Sequence, residues 1–232
     1  THTPSVCSIP APAGNPRTVT SAADYGRVVT ETNLVINTRS GEVDRGRTTS
    51  TNHLVTRGTK DPAQTQIIAK WDGLSADLGA QIVGTHVEDI IGHSDPRSNR
   101  AIETPMGNLV ADAILWGTSG ANGGAQIAFM NVGGVRASLP MAPTQGEGSG
   151  NITYAEAYAI APFGNLLNTI TMTGADVKAV LEQQYRVSST GVPSVLSINV
   201  SQGFTYTWTA ANAPGSKVSD MRLNGVPLVM DQ

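Results

Sequence analysis

Asn131-Val132-Gly133-Gly134-Val135-Arg136 follows directly on the apolar run Ile127-Ala128-Phe129-Met130. A strand that ends in an amide, two glycines and a guanidinium can bring backbone N–H groups and a fixed charge to one ligand. Glycine permits close approach and positive φ. Arginine offers a planar, permanently charged fork matched to phosphate or carboxylate. Taken alone, the plainer reading is a hairpin turn with a surface arginine. Three further segments stand beside it: Arg100-Ala101-Ile102-Glu103-Thr104-Pro105-Met106-Gly107-Asn108, Pro162-Phe163-Gly164-Asn165, and Thr173-Gly174 with the helix that ends in Leu181-Glu182. Core packing is the ordinary alternative for Phe163, and an i,i+3 ion pair with Glu103 for Arg100. Glu103, Asn108 and Asp112 read as structural, a helix-start charge and side-chain caps.

The elements that must position these residues can be outlined from pattern. Gln126 to Met130 reads as a buried strand. Thr104-Pro105 opens a helix with Leu109, Ala113 and Trp116 on one face. Thr153-x-x-Glu156 and Thr173-x-x-Asp176 read as capping boxes, the second opening a helix of Val177, Val180, Leu181 and Tyr185. Asp61-Pro62 starts an amphipathic helix of Ile67, Trp71, Leu74 and Leu78 that runs to about Gly79. Strands are expected at Val28–Thr30, Asn33–Asn37, Thr49–Val55 and Gln81–Ile90. Others are expected at Val195–Val200, Phe204–Trp208 and Val218–Leu223. Helices and strands are interspersed and hairpins close the chain, so α+β with a mixed sheet fits best.

Bulk properties exclude several classes. The 232 residues carry a net charge of −3, and the pI near 5.7 leaves no basic stripe for nucleic acid. Only 14% of residues are charged, against roughly 25% in an average soluble protein, which leans towards an exported, β-rich chain. Cys7 is the single cysteine, so no intrachain disulfide and no Cys-rich zinc site can form. No apolar run reaches transmembrane length, and no signal-peptide pattern opens these residues. His53, His86 and His93 lack metal-ligand spacing.

In combination and order, the four segments resemble the C-terminal, substrate-binding domain of the 5'-nucleotidase family. That family includes UDP-sugar hydrolases and 2',3'-cyclic-nucleotide phosphodiesterases. Its pattern runs Arg-x-x-Glu-x-x-x-Gly-Asn, Asn-x-Gly-Gly-x-Arg, Pro-Phe-Gly-Asn, Leu-Thr-Gly and Leu-Glu; here Met172 replaces the Leu before Thr173-Gly174. The resemblance implies that Arg100 and Arg136 grip a substrate phosphate with Asn131 beside them. Gly133 and Gly134 form the turn, Phe163 makes one face of a base sandwich, and Asn165 meets base or ribose.

The resemblance also implies two divalent metal ions about 3.5–4 Å apart, held by a preceding metallophosphoesterase domain, with their identity open among Mn, Zn, Mg and Ca. Thr1-His2-Thr3 resembles the tail of that domain's last ligand motif, so His2 is a ligand in the intact parent only. These residues alone are expected to hold no metal and no catalytic group. The expected organisation is 1–60, the terminal strands of the metallophosphoesterase domain; 61–80, a connecting helix; and 81–232, the substrate-binding domain, truncated before its second base-stacking aromatic. The parent is expected to be an extracytoplasmic phosphoric ester hydrolase acting on a small-molecule nucleotide, whose identity stays open, as does the oligomeric state. The competing reading is a non-catalytic secreted nucleotide-binding module of the same fold.

Overall fold

The structure, a computed structural model, describes residues 7–10, 14, 17–23, 25–92, 100–144 and 146–231. The chain divides into two compact units, Thr1–Lys70 and Trp71–Gln232.

In the first unit β1 (Cys7–Ile9) pairs antiparallel with β2 (Arg17–Val19), and β3 (Val28–Asn33) with β4 (Thr49–Leu54). Side chains along β3 alternate between half-buried and exposed, the period-two pattern of a strand. Thr30 Oγ1 donates to Asn52 Oδ1 at 2.7 Å across this ladder. The strand expected at 33–37 does not form beyond Asn33; only Ile36 bridges, to Val43. Asn37 Oδ1 accepts the N–H groups of Arg39 and Ser40, a local turn that competes with a ladder. From Ile9 onward no described residue of this unit is buried, and a two-stranded ladder with no covered apolar face is marginal by itself.

The division falls within α1 (Pro62–Gly79), which starts where Asp61 Oδ1 accepts the Gln64 N–H at 2.9 Å. Helical spacing made Ile67, Trp71, Leu74 and Leu78 one apolar stripe. All four are exposed, Trp71 by 61%, so the periodicity set the helix while its apolar stripe stays largely open.

The second unit is α+β. Its elements are β5 (Ile82–Thr85), α2 (Pro105–Thr118), β6 (Phe129–Asn131), β7 (Asn151–Thr153), α3 (Tyr154–Ile160), α4 (Gly174–Glu182), β8 (Tyr185–Val187), β9 (Pro193–Val195), β10 (Ile198–Val200), β11 (Phe204–Trp208), β12 (Val218–Leu223) and β13 (Val226–Pro227). The ladders are β5–β7, β6–β10, β8–β9 and β11–β12–β13, each antiparallel.

Two clusters form the core. Val177 and Leu181 of α4 pack with Val200, Phe204, Val218 and Met221, and Phe129 meets Phe204 edge-on at 5.9 Å. Met106, Val135, Leu139 and Ile160 make the second cluster. Complete burial of a side chain such as Leu181 contributes on the order of 1.5–3 kcal/mol.

Both capping boxes form. Thr153 Oγ1 accepts the Glu156 N–H at 3.2 Å while Glu156 Oε2 accepts the Thr153 N–H at 3.0 Å, and Thr173 with Asp176 repeats the arrangement. Tyr185 lies in β8 rather than at the end of α4. Glu182, last residue of α4, accepts the N–H of Val218 at 2.7 Å and of Gly215 at 3.1 Å, tying the 215–218 backbone to the helix.

The face of α2 that carries Leu109, Ala113 and Trp116 turns outward. Leu109 and Trp116 are exposed, Trp116 by 83%, while Met106, Gly107, Ala111 and Thr118 are buried. The inward face lies against β6 and β10; Met106 fills the core there and Gly107 lets the helix close on Asn199.

Candidate functional site

The short strand β10 gathers the segments singled out by their chemistry. It pairs with β6 in the register Ile198↔Asn131, Asn199↔Met130, Val200↔Phe129. Just before it, the Ser197 N–H donates to the Arg100 carbonyl at 2.7 Å, and the Ser197 carbonyl accepts the Val132 N–H at 3.4 Å. One residue thus joins the Arg100 segment to the turn that follows Asn131. The side chain of Asn199, fully buried, makes a second bridge. Its Oδ1 accepts the Thr104 N–H at 3.0 Å and its Nδ2 donates to the Met130 carbonyl at 3.1 Å.

Thr104 is also the N-cap of α2, its hydroxyl accepting the Gly107 N–H at 3.2 Å. Gly107 explains its own identity: a methyl group there would overlap the Asn199 side-chain amide. Glu103 Oε1 accepts the Val200 N–H at 3.4 Å, and Asp112 Oδ1 accepts the Gln202 N–H at 2.5 Å. Both carboxylates therefore hold the backbone around β10 instead of capping their own helix.

Residues Val132–Gly134 form a single 3-10 turn after β6, not a hairpin. Neither Gly133 nor Gly134 has a positive φ. Space around the turn is tight but yielding: a methyl at Gly134 would meet the flexible end of Met130 at Cε and approach Asn131 Oδ1 to 3.3 Å, and one at Gly133 would lie 3.3 Å from Asn131 Nδ2. The amide of exposed Asn131 thus lies close over the turn.

Arg136 is half-buried, and its Nη1 donates to the Gly133 carbonyl at 3.2 Å. No carboxylate among the described residues pairs with it within 4.0 Å. A guanidinium with one donor spent on its own turn and no carboxylate partner among the described residues is suited to an anion from outside.

The Arg136 N–H donates to the Ile160 carbonyl at 2.7 Å, tying this turn to the end of α3. Three residues on, Phe163 is 52% exposed, so the core-packing alternative does not hold. Asn165 is exposed on the same irregular segment. Backbone bonds thus chain together the segments of Arg100, Asn131, Gly133, Gly134 and Arg136, and connect them through Ile160 to the segment of Phe163. A cavity of about 430 Å³, lined by the C-terminal part of α2, Gly123–Phe129 and Asn168–Met172, includes none of these residues.

Among ionisable groups nearby, burial raises the Tyr206 phenol above its ordinary range; its hydrogen bonds with Gln184 oppose the shift and the Glu103 charge adds to it. His53 bonds to Glu31 and His86 to the Glu88 carbonyl. His2 and His93 lie outside the described residues. Among those described, no group of three or more His, Cys, Asp or Glu could hold a metal ion, so the two-metal chemistry does not fit these side chains and no step is assigned through it.

Ser197 and Asn199 carry the geometry, yet no motif marked them. The alternation Ile198-Asn199-Val200 reads Asn199 as the wet face of a strand, and only the packing of α2 against that face makes it interior.

These features fall within a known family. The 5'-nucleotidase C-terminal domain family matches residues 82–232, and the chain belongs to it. It is similar to the cell wall protein Lmo0130 of Listeria monocytogenes, 31% identical across 66% of this chain and 19% of that protein. It is also similar to the trifunctional nucleotide phosphoesterase YfkN of Bacillus subtilis, 34% identical across 53% of this chain and 8% of that one. The chain therefore spans under a fifth of either relative's length. The 5'-nucleotidase precursor from Thermus thermophilus shares the fold, with a TM-score of 0.55 at 24% identity over 99% of this chain and 43% of that one.

Proposed function

We propose that the chain binds a nucleoside phosphate and forms the substrate-binding part of a metal-dependent phosphohydrolase. Arg136 and Arg100 grip the phosphate, Asn131 and the Gly133-Gly134 turn shape the approach, Phe163 stacks on the base and Asn165 meets base or ribose. The observation that supports this reading is the half-buried Arg136 with no carboxylate partner among the described residues, one backbone bond from the segment that carries an exposed Phe163. A dianionic phosphate matches a bidentate guanidinium. A stacked aromatic contributes about 1–3 kcal/mol per base in single-stranded nucleic acid recognition.

Hydrolysis belongs to divalent ions on a neighbouring metallophosphoesterase domain, of which residues 1–60 are the terminal strands and 61–80 the connecting helix. The first unit, with no buried residue among those described from Ile9 onward, suits strands that are covered by such a neighbour. An extracytoplasmic location agrees with the low charge content and with a relative named as a cell wall protein. No helix of the described residues is long and apolar enough to cross a membrane.

The test is AMP binding and phosphate release by the full-length protein. Arg136→Ala is expected to weaken AMP binding at least tenfold, the scale of a lost charge-assisted pair, and EDTA to abolish phosphate release. Unchanged AMP affinity in R136A and in Arg100→Ala would overturn the phosphate grip. Binding without any metal-dependent release would leave the non-catalytic module.

A further inference from the structure

We infer that Asn199 is a positioning residue for the phosphate grip, setting the spacing between the Arg100 and Arg136 segments; this rests on the reading just given. The side-chain amide has one acceptor and one donor engaged on opposite sides. Oδ1 takes the Thr104 N–H, four residues after Arg100, and Nδ2 gives to the Met130 carbonyl, next to Asn131 and six residues before Arg136. Both bonds are 3.0–3.1 Å long on a side chain with no exposure. A buried amide with both ends satisfied holds its partners in one arrangement, because any slip leaves a desolvated polar group without a partner.

The glycine at 107 lets the helix close on this amide. Ser197 fastens the same two segments through backbone bonds alone, which do not involve the side chain at 199. The segment of the stacking residue is tied to the Arg136 backbone, through the Arg136 N–H and the Ile160 carbonyl, and not to the Asn199 amide. Loss of the Asn199 amide therefore shifts the Arg100 segment relative to Arg136, while Phe163 keeps its place beside Arg136. Phosphate affinity falls and base affinity does not.

The experiment titrates the full-length protein calorimetrically with AMP and with adenosine, EDTA being present so that AMP is not consumed. Asn199→Leu removes both hydrogen bonds at similar volume. The double variant N199A/G107A also removes them while the new methyl at 107 occupies vacated space, so it answers where N199L does not fold. Each is expected to weaken AMP by about tenfold, the scale seen when a group behind a ligand-contacting residue loses its hydrogen bond, with adenosine affinity held within about twofold. A merely structural role would lower both together or neither, and either result overturns the inference, provided R136A weakens AMP. If R136A leaves AMP unchanged, the phosphate site itself is wrong and the inference falls with it.

Discussion

Replacing Gly107 by alanine measures how tightly α2 is seated on β10. The added methyl overlaps the Asn199 side-chain amide, which is fully buried and has no solvent to move into. Displacing it breaks both of its hydrogen bonds and leaves the Thr104 N–H and the amide's own buried Nδ2 without partners, at about 1–3 kcal/mol for each buried orphan. Alanine returns at most about 1 kcal/mol of helix propensity over glycine. The net expectation is a loss of about 3 kcal/mol, or about 6–12 °C in Tm for a chain of this size. Differential scanning calorimetry reads it directly.

Gly134→Ala is the control. Its methyl meets the free end of the Met130 thioether, a flexible chain that can turn aside, so its loss should stay within about 1 kcal/mol. A G107A protein within about 2 °C of the parent, or one no worse than G134A, would refute the idea that a buried amide dictates glycine at 107.

Other expectations follow from the titrating groups and caps. The Tyr206 phenol is raised by burial, so its share of stability is whole below the ordinary tyrosine value of about 10 and is lost as pH rises through the raised folded value. Tyr206→Phe should therefore flatten denaturant midpoints between pH 9 and 11, on the order of the phenol's own range, and an unchanged alkaline slope would contradict it. The hydroxyl of Thr173, followed by its N–H, holds the Asp176 carboxyl below the usual carboxylate range. That contribution is present above about pH 4 and is lost as pH falls through the lowered folded value. Thr173→Ala should cost about 1 kcal/mol at pH 7 and should shrink the acid dependence in a urea titration, whereas equal acid slopes in the two proteins would count against the capping box.

Local signals were legible where the physics is local. Asp61-Pro62, Thr104-Pro105 and the two Thr-x-x-acid boxes start helices where expected, because each satisfies orphan donors within four residues of itself. β11 and β12 match the expected strands residue for residue. Which face of a helix turns inward was not legible. Apolar spacing grouped Leu109, Ala113 and Trp116 on one face, and the interior took Met106, Gly107 and Ala111. For α1 the stripe was read correctly but is exposed throughout. Of the two freedoms glycine offers at 133–134, close approach and positive φ, the structure uses only the first; Met130 and Asn131 are the neighbours that decide it.

By itself the amino-acid order determined the helix starts, the strand periodicity and the inventory of chemistry: two arginines, two amides and an aromatic spread over three motifs. Caps and periodicity act over one or two turns of chain, so they can be read in a line. Only the tertiary structure decided that Ser197 and Asn199, 66 or more residues beyond Asn131 in the chain, would hold the Arg100 and Asn131 segments together. Such a bridge depends on a long-range register and on a helix pressing against the strand, and no local pattern encodes either.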